Sequence, residues 1–146
     1  MSAPAQPLRV EVATAPDDAL RQAIAAPLLQ FNTALAGPSG HQALALVLRD
    51  SAGAVQGGLW AATGYGWLYT QMLVVPQALR GTGLGRRLMQ QAEELALQRG
   101  CHHAWVDTQF GARAFYEQLG YAVFGELPDY PSGFTRSYLQ KKLGAA

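Results

Sequence analysis

Leu73-Val74-Val75-Pro76-Gln77-Ala78-Leu79-Arg80-Gly81-Thr82-Gly83-Leu84-Gly85-Arg86-Arg87-Leu88 decides the fold of this chain. An apolar run, a short turn, a glycine-rich loop led by arginine and a helical pattern follow one another, which predicts a strand feeding an anion-binding loop at a helix N-terminus. The first N–H groups of a helix have no partner within it, and the helix dipole places partial positive charge at the same end. An anion is the natural guest there. Glycines at 81, 83 and 85 let the backbone approach phosphate oxygens, while Arg80, Arg86 and Arg87 add charge around them. Three glycines in five residues are otherwise a poor way to start a helix. Two familiar glycine loops do not fit. Gly85 is followed by Arg86-Arg87 rather than by the Lys-Ser/Thr of a P-loop, and the third glycine comes one residue too early for a dinucleotide fingerprint. What remains is R-x-x-G-x-G at Arg80, Gly83 and Gly85. On the bare pattern, an ordinary strand-to-helix turn stays open as the alternative.

With 146 residues, 49% of them hydrophobic, the chain predicts one domain, 1–146, with a sizeable core and with residues 1–6 disordered. A formal net charge of +1 gives no electrostatic case for nucleic acid as a partner. The single cysteine excludes an internal disulfide framework and allows a reducing compartment. Met1 to Pro7 is proline-broken without an apolar h-region, and no apolar run is long enough to span a bilayer, so no membrane partner and a soluble cytoplasmic location are expected.

From the N-terminus, Leu8-Arg9-Val10-Glu11-Val12 alternates in polarity and predicts a strand. Pro16-Asp17-Asp18 signals a helix start, and Pro27 interrupts the following stripe, so two short helices or one kinked helix are expected. After a loop at Ala36 to His41, the continuously apolar Ala43–Leu48 predicts a strand buried on both faces. Asp50-Ser51-Ala52-Gly53 and Thr63-Gly64-Tyr65-Gly66 close hairpins onto Ala54–Trp60 and Trp67–Val75. Beyond the loop, Leu84, Leu88, Ala92 and Leu95 share a helical face ended by Gly100. His102–Thr108 is the next strand, completing a right-handed parallel crossover. Phe110 to Leu119 predicts a short helix, and Tyr121–Phe124 and Phe134–Leu143 predict two last strands.

The glycine loop, the L-x-V-like strand before it, this order of elements and Ala112-Arg113-Ala114-Phe115-Tyr116-Glu117-Gln118-Leu119-Gly120-Tyr121 together resemble the GNAT N-acetyltransferase family. Its motifs are (Q/R)-x-x-G-x-(G/A) and A-x-x-F-Y-x-x-x-G-(F/Y), and the resemblance covers most of the chain from about Gln42 to Leu143. It implies an α/β single-domain fold: a mixed, mostly antiparallel sheet of about seven strands, about four flanking helices, and a splayed parallel pair at the cofactor site.

The activity that the resemblance implies is transfer of the acetyl group of acetyl-CoA to a primary amine by direct attack in a ternary complex. Arg80, Gly81, Thr82, Gly83, Leu84, Gly85 and Arg86 would then cradle the pyrophosphate. The amide-rich pantetheine arm would pair like an extra strand with Leu73, Val74 and Val75. A backbone N–H near Val74 would meet the oxyanion, and Tyr116 would protonate the leaving thiolate and touch the cofactor. Read from residues alone, Tyr116 is more simply an aromatic packed beside Phe115 on a buried helix face. The base is not legible: Trp67 to Met72 holds no carboxylate, which leaves Asp107, Glu126, Asp129 or a relayed water, and it keeps a noncatalytic acyl-CoA-binding module as the alternative function. The family's Asn after the fifth strand is replaced by Thr108-Gln109-Phe110-Gly111.

Acceptor contacts are expected from Ala36–His41, Trp60, Tyr65 and Leu127–Pro131, where acidic and aromatic groups suit a cationic amine. Small metabolite, antibiotic, polyamine and peptide N-terminus all remain open as acceptors, as does a homodimer through the last strand. Cys101-His102-His103 reads as a buried thiol with ordinary histidines and no metal, because strand neighbours point to opposite faces. Lys141-Lys142 reads as a solvated strand end.

Overall fold

The structure, a computed structural model, describes residues 3–144, so the disorder expected over residues 1–6 falls in part outside the described residues. It divides into two units, Met1–Pro38 and Ser39–Ala146.

In the first unit, helix α1 (Asp18–Ala36) is capped by Asp17, whose carboxylate accepts from the Leu20 N–H at 2.8 Å. This is the start that Pro16-Asp17-Asp18 signalled. At the other end the Gly37 N–H closes on the Thr33 carbonyl at 2.9 Å. One helix runs through Pro27. The proline withdraws a single hydrogen bond, the one owed to the Ala23 carbonyl, and the good helix formers on either side carry the helix across it. The predicted strand Leu8–Val12 does not form. Alternating polarity fits a pleat but supplies no ladder partner, and a strand exists only by pairing. The described residues therefore hold six strands and three α-helices, where about seven and four were expected.

The second unit contains β1 (Gln42–Arg49), β2 (Val55–Gly64), β3 (Trp67–Val74), α2 (Leu84–Gln98), β4 (His103–Thr108), α3 (Arg113–Gln118), β5 (Ala122–Leu127) and β6 (Arg136–Lys142). The strands form one sheet in the order β1-β2-β3-β4-β6-β5. Every neighbouring pair is antiparallel except β3 and β4, which the crossover through α2 makes parallel. The two predicted hairpins form as read. Asp50 Oδ1 accepts from the Ala52 and Ala54 N–H groups, and Tyr65 and Gly66 both take positive φ, as a two-residue hairpin turn requires.

The apolar stripe of α2 buries Leu88, Met89, Ala92 and Ala96 on one face of the sheet, where Leu68, Ala104, Val106 and Leu139 are almost wholly covered. Along β2, β3, β4 and β6 the residues facing α2 alternate with those on the opposite face, among them Tyr69, Trp105 and Tyr138. Where β2 passes between its neighbours, a Cβ at Gly58 would lie 2.2 Å from the Leu46 carbonyl oxygen, so only glycine fits.

Several expectations are corrected. β1 is an edge strand with Leu44 buried but Val47 46% exposed, so its apolar run is not covered on both faces. Phe110 and Gly111 take left-handed conformations, which delays α3 to Arg113. β6 lies between β4 and β5 with both edges paired, so it has no free edge to offer a second subunit. Lys141 is not a solvated strand end: its ammonium sits 2.6 Å from Glu93 Oε1, and the Tyr121 hydroxyl donates to the same carboxylate. Only Lys142 is exposed there.

Candidate active site

The site begins where β3 ends. A 3-10 turn at Gln77–Leu79 and the glycines at 81 and 83, both at positive φ, bring the chain round to α2. Thr82 secures the turn by donating from Oγ1 to the Leu79 carbonyl at 2.6 Å. Gly83 is the N-cap in the left-handed region and offers no side chain to the helix, so the first N–H groups of α2 are left for another acceptor. Cβ atoms at Gly81 and Gly83 would meet nothing within 4 Å. The loop is therefore open toward solvent on the side where an anion would approach.

A cleft of about 500 Å3 runs from this loop to the end of β3. Leu73, Val75, Arg80, Gly81, Gly83, Leu84, Gly85 and Arg86 line it, and Phe115 of α3 and Leu119, the residue that caps α3, form its far wall. Gly85 lets the helix come close to that wall, since a Cβ there would stand 3.3 Å from the Phe115 ring. Three of the sequence candidates, Val74, Thr82 and Tyr116, are not among the lining residues. The Val74 side chain is 53% exposed and lies on the opposite face, across the ladder from Gly58.

Beyond the cleft the sheet comes apart. The β3–β4 ladder ends at Thr70 and Val106, although β3 continues to Val74 and β4 to Thr108. A bulge at Gln71, between the Ala61–Thr70 and Trp60–Met72 pairs, turns β3 at this point. Thr70 Oγ1, buried at the last shared rung, has no hydrogen-bond partner. The unpaired strand edges suit an extended, amide-rich guest.

Tyr116 is 7% exposed and meets the rings of Phe115 and Tyr121 edge to face. Its hydroxyl bonds to no protein group among the described residues. Burial raises its pKa above the ordinary phenol value, and the Asp107 charge adds to this. It is a neutral phenol with a proton to give.

On the face of the sheet turned away from α2, at the level where β3 and β4 part, lies a polar cluster that only the fold assembles. The Tyr69 hydroxyl donates to Asp107 Oδ1 at 2.9 Å. Arg136 donates from Nη2 to Asp107 Oδ2 and from Nη1 to Gln109 Oε1, and its guanidinium lies 4.7 Å from the centre of the Tyr130 ring. Trp105 stacks on Tyr69 at 4.0 Å. Burial first, then the Asp107 hydrogen bond and charge, push the Tyr69 pKa up to about 12. The other sequence candidates for the base are placed elsewhere. Glu126 is held 2.7 Å from Arg113 Nη1, and Asp129 sits in the β5–β6 loop at positive φ. Tyr69 and Arg136 were missed because their meeting with Asp107 depends on strand register, which local pattern does not carry. His103 stacks on the Trp67 ring at 4.6 Å, and the neighbouring Cys101 is buried.

The acetyltransferase (GNAT) family model matches residues 12–121. An acetyltransferase of Agrobacterium fabrum is 39% identical over 127 residues, covering 86% of this chain and 93% of that protein. The blasticidin-S acetyltransferase of Streptomyces morookaense is 40% identical over 93 residues, 62% of this chain and 68% of that one. The crystal structure of an acetyltransferase from Agrobacterium tumefaciens superimposes with a TM-score of 0.89 at 36% identity, covering 93% of this chain and all of the other. The splayed parallel pair and the uncapped, glycine-led helix are thus accompanied by sequence similarity over nearly the whole length of the Agrobacterium fabrum relative. The chain belongs to the GNAT family of acetyltransferases, acyltransferases that use acetyl-CoA.

Proposed function

We propose that this single acetyltransferase domain is an N-acetyltransferase whose acceptor is the primary amine of a small molecule, attacked directly while donor and acceptor are bound together. The observation that carries the reading is the opening between β3 and β4. The donor cleft reaches it from the α2 side through Leu73 and Val75, and the Tyr69–Asp107 pair stands at the same level on the other face. An acyl donor lying in the cleft would present its thioester at a gap that an amine can enter from the opposite side. The relative named for blasticidin S supports a small-molecule acceptor.

In this reading Arg80, Arg86 and the backbone N–H groups of residues 81–86 hold the pyrophosphate. The free edges of Leu73, Val74 and Val75 hold the pantetheine arm. Acetyl-CoA supplies an activated acetyl group. The chain supplies a backbone N–H near Val74 for the developing oxyanion and the Tyr116 phenol for the thiolate. The noncatalytic alternative rested on the lack of a carboxylate along Trp67–Met72. The fold brings one to that strand from its neighbour, as Asp107 on Tyr69.

Thermal unfolding with acetyl-CoA, CoA and NADH at equal concentration tests the donor site. A ligand at one hundred times its dissociation constant adds about 2.7 kcal/mol, a shift of a few degrees in a domain of this size. A shift with acetyl-CoA and CoA but not with NADH is expected, followed by thiol release with a panel of amines. No shift with either CoA species would remove the glycine loop from the mechanism.

A further inference from the structure

An alkylammonium must lose a proton before its nitrogen can attack, and the donor cleft offers no group for this. We propose that Tyr69 takes the proton from the attacking nitrogen while passing its own to Asp107, with Arg136 as the positioning residue that holds the carboxylate. The proposal rests on the N-acetyltransferase reading.

Three observations support the relay. Tyr69 stands one residue before the last shared rung of β3 and β4, yet its hydroxyl reaches Asp107 Oδ1, one residue beyond that rung. The phenol oxygen is therefore at the mouth of the opening. Asp107 cannot meet the amine itself: its side chain is 5% exposed, and its two oxygens accept from Tyr69 and from Arg136. A substrate can reach this carboxylate only through Tyr69. Finally, the Tyr69 hydroxyl hydrogen is committed to Asp107, so the free lone pairs of Oη are turned to accept an N–H. Trp105, stacked at 4.0 Å, holds the ring in that orientation.

One N–H bond of the alkylammonium breaks before attack and leaves its electron pair on nitrogen: that proton moves to Tyr69 Oη, and the Tyr69 proton moves to Asp107 Oδ1. The nitrogen pair then forms the bond to the acetyl carbon, the C–S bond breaks with its pair on sulfur, which takes the Tyr116 proton, and the second proton shed by the nitrogen restores Tyr116. The phenol ends neutral and the carboxylate ends as the acid. Arg136, donating to Asp107 Oδ2, keeps Oδ1 turned to Tyr69, and the proton passes to solvent before the next turnover. The high Tyr69 pKa keeps the phenol protonated throughout the working range. The ionisable groups that bear on the pair are Arg136 and Tyr138 from β6, Tyr130 from the β5–β6 loop and Tyr116 from α3.

Tyr69→Phe and Asp107→Asn, singly and together, test the relay against wild type on one panel: an alkylamine, an arylamine, a polyamine and a peptide with a free N-terminus. Each single variant should keep the acetyl-CoA thermal shift and lose about 100-fold or more in kcat. The double variant should be no worse than either single one, because the two groups act as a unit. The remaining rate should follow the fraction of free amine as pH rises. A readout independent of turnover is phenolate absorbance: in Asp107→Asn one tyrosine should ionise at lower pH than in wild type, where Tyr69 titrates at about 12. Should Tyr69→Phe fold poorly, Asp107→Asn decides, since asparagine keeps the size of the side chain and one acceptor oxygen for Tyr69 or Arg136 but takes no proton. Retention of kcat within about threefold in either variant, or multiplied losses in the double one, would overturn the relay while leaving the N-acetyltransferase reading intact. Acetyl-CoA binding without transfer to any amine would instead overturn that reading, and the relay with it.

Discussion

Tyr116→Phe separates catalysis from packing more cleanly than any other single change. The ring is 7% exposed between Phe115 and Tyr121, so removing it would open a cavity, but phenylalanine keeps the ring. Only the hydroxyl is deleted, and among the described residues no protein group depends on it. With no donor or acceptor orphaned, the stability change should stay within about 0.5 kcal/mol. If the hydroxyl protonates the leaving thiolate, its loss should lower kcat by about 100- to 10,000-fold, or about 3–5 kcal/mol in the barrier. The pH profile adds a second constraint. Burial and the Asp107 charge both raise the Tyr116 pKa above the 10.0 of an ordinary phenol, so the acid form persists past that pH. Any fall in kcat caused by ionisation of Tyr116 must therefore have its midpoint above pH 10. The assay is thiol release at saturating acetyl-CoA and amine, with thermal unfolding run in parallel. Turnover within about threefold of wild type, in a variant of unchanged melting temperature, would refute the acid role and leave Tyr116 as a packing residue.

Gly83→Glu should abolish the acetyl-CoA thermal shift, because a carboxylate would enter the space where phosphate is expected. The left-handed φ of 84° adds about 1–2 kcal/mol of strain, so Gly83→Asn, which tolerates that region, is the control for fold, and retained affinity in Gly83→Glu would sink the assignment. Lys141→Met strands the Glu93 carboxylate, only 10% exposed, and should destabilise by about 3 kcal/mol as read from a urea midpoint. Adding Glu93→Gln should recover most of that loss, and a further loss would show that the pair does not act as one unit. Alkaline stability follows from the phenols and the thiol: each folded pKa is raised, so the contribution is complete below the unfolded value and disappears as pH climbs through the folded one. The urea midpoint should hold to about pH 8, above which the Cys101 thiol of the unfolded chain, with its ordinary pKa of 9.0, begins to ionise, and fall steeply between 10 and about 12 as Tyr69 does so. A midpoint that stays level from pH 8 to about 12 would contradict the raised values.

What could be read from the sequence is what local chemistry encodes. The loop from Arg80 to Arg86 is contiguous, and its glycines carry their conformational meaning wherever they stand; Gly81 and Gly83 take the positive φ that only such residues adopt freely. The same holds for the turns at Asp50–Gly53 and Tyr65–Gly66, where one carboxylate or two left-handed residues suffice. The apolar run of β1 failed as a guide to burial because composition says nothing about a strand's place in the sheet order, and at an edge the run is half open. Leu8–Val12 failed for a related reason: its alternation is real, but a ladder needs a second strand.

The Tyr69–Asp107–Arg136 cluster lies at the limit of such reading. Tyr69 is 38 residues from Asp107, and Arg136 is 29 residues beyond it. Each looks ordinary in its own strand. They meet because β4 pairs parallel to β3 on one side and antiparallel to β6 on the other, so that a residue past the last β3–β4 rung is reached from both neighbours. That register is fixed by the burial of Leu68, Ala104, Val106 and Leu139 beneath α2, since a slip of one residue would exchange the two faces. The core side of the sheet thus determines which polar groups meet on the opposite side. Substitutions in the α2-facing layer that loosen the register should therefore disturb acceptor chemistry before they disturb donor binding, because the glycine loop is held by its own turn and the cluster is not.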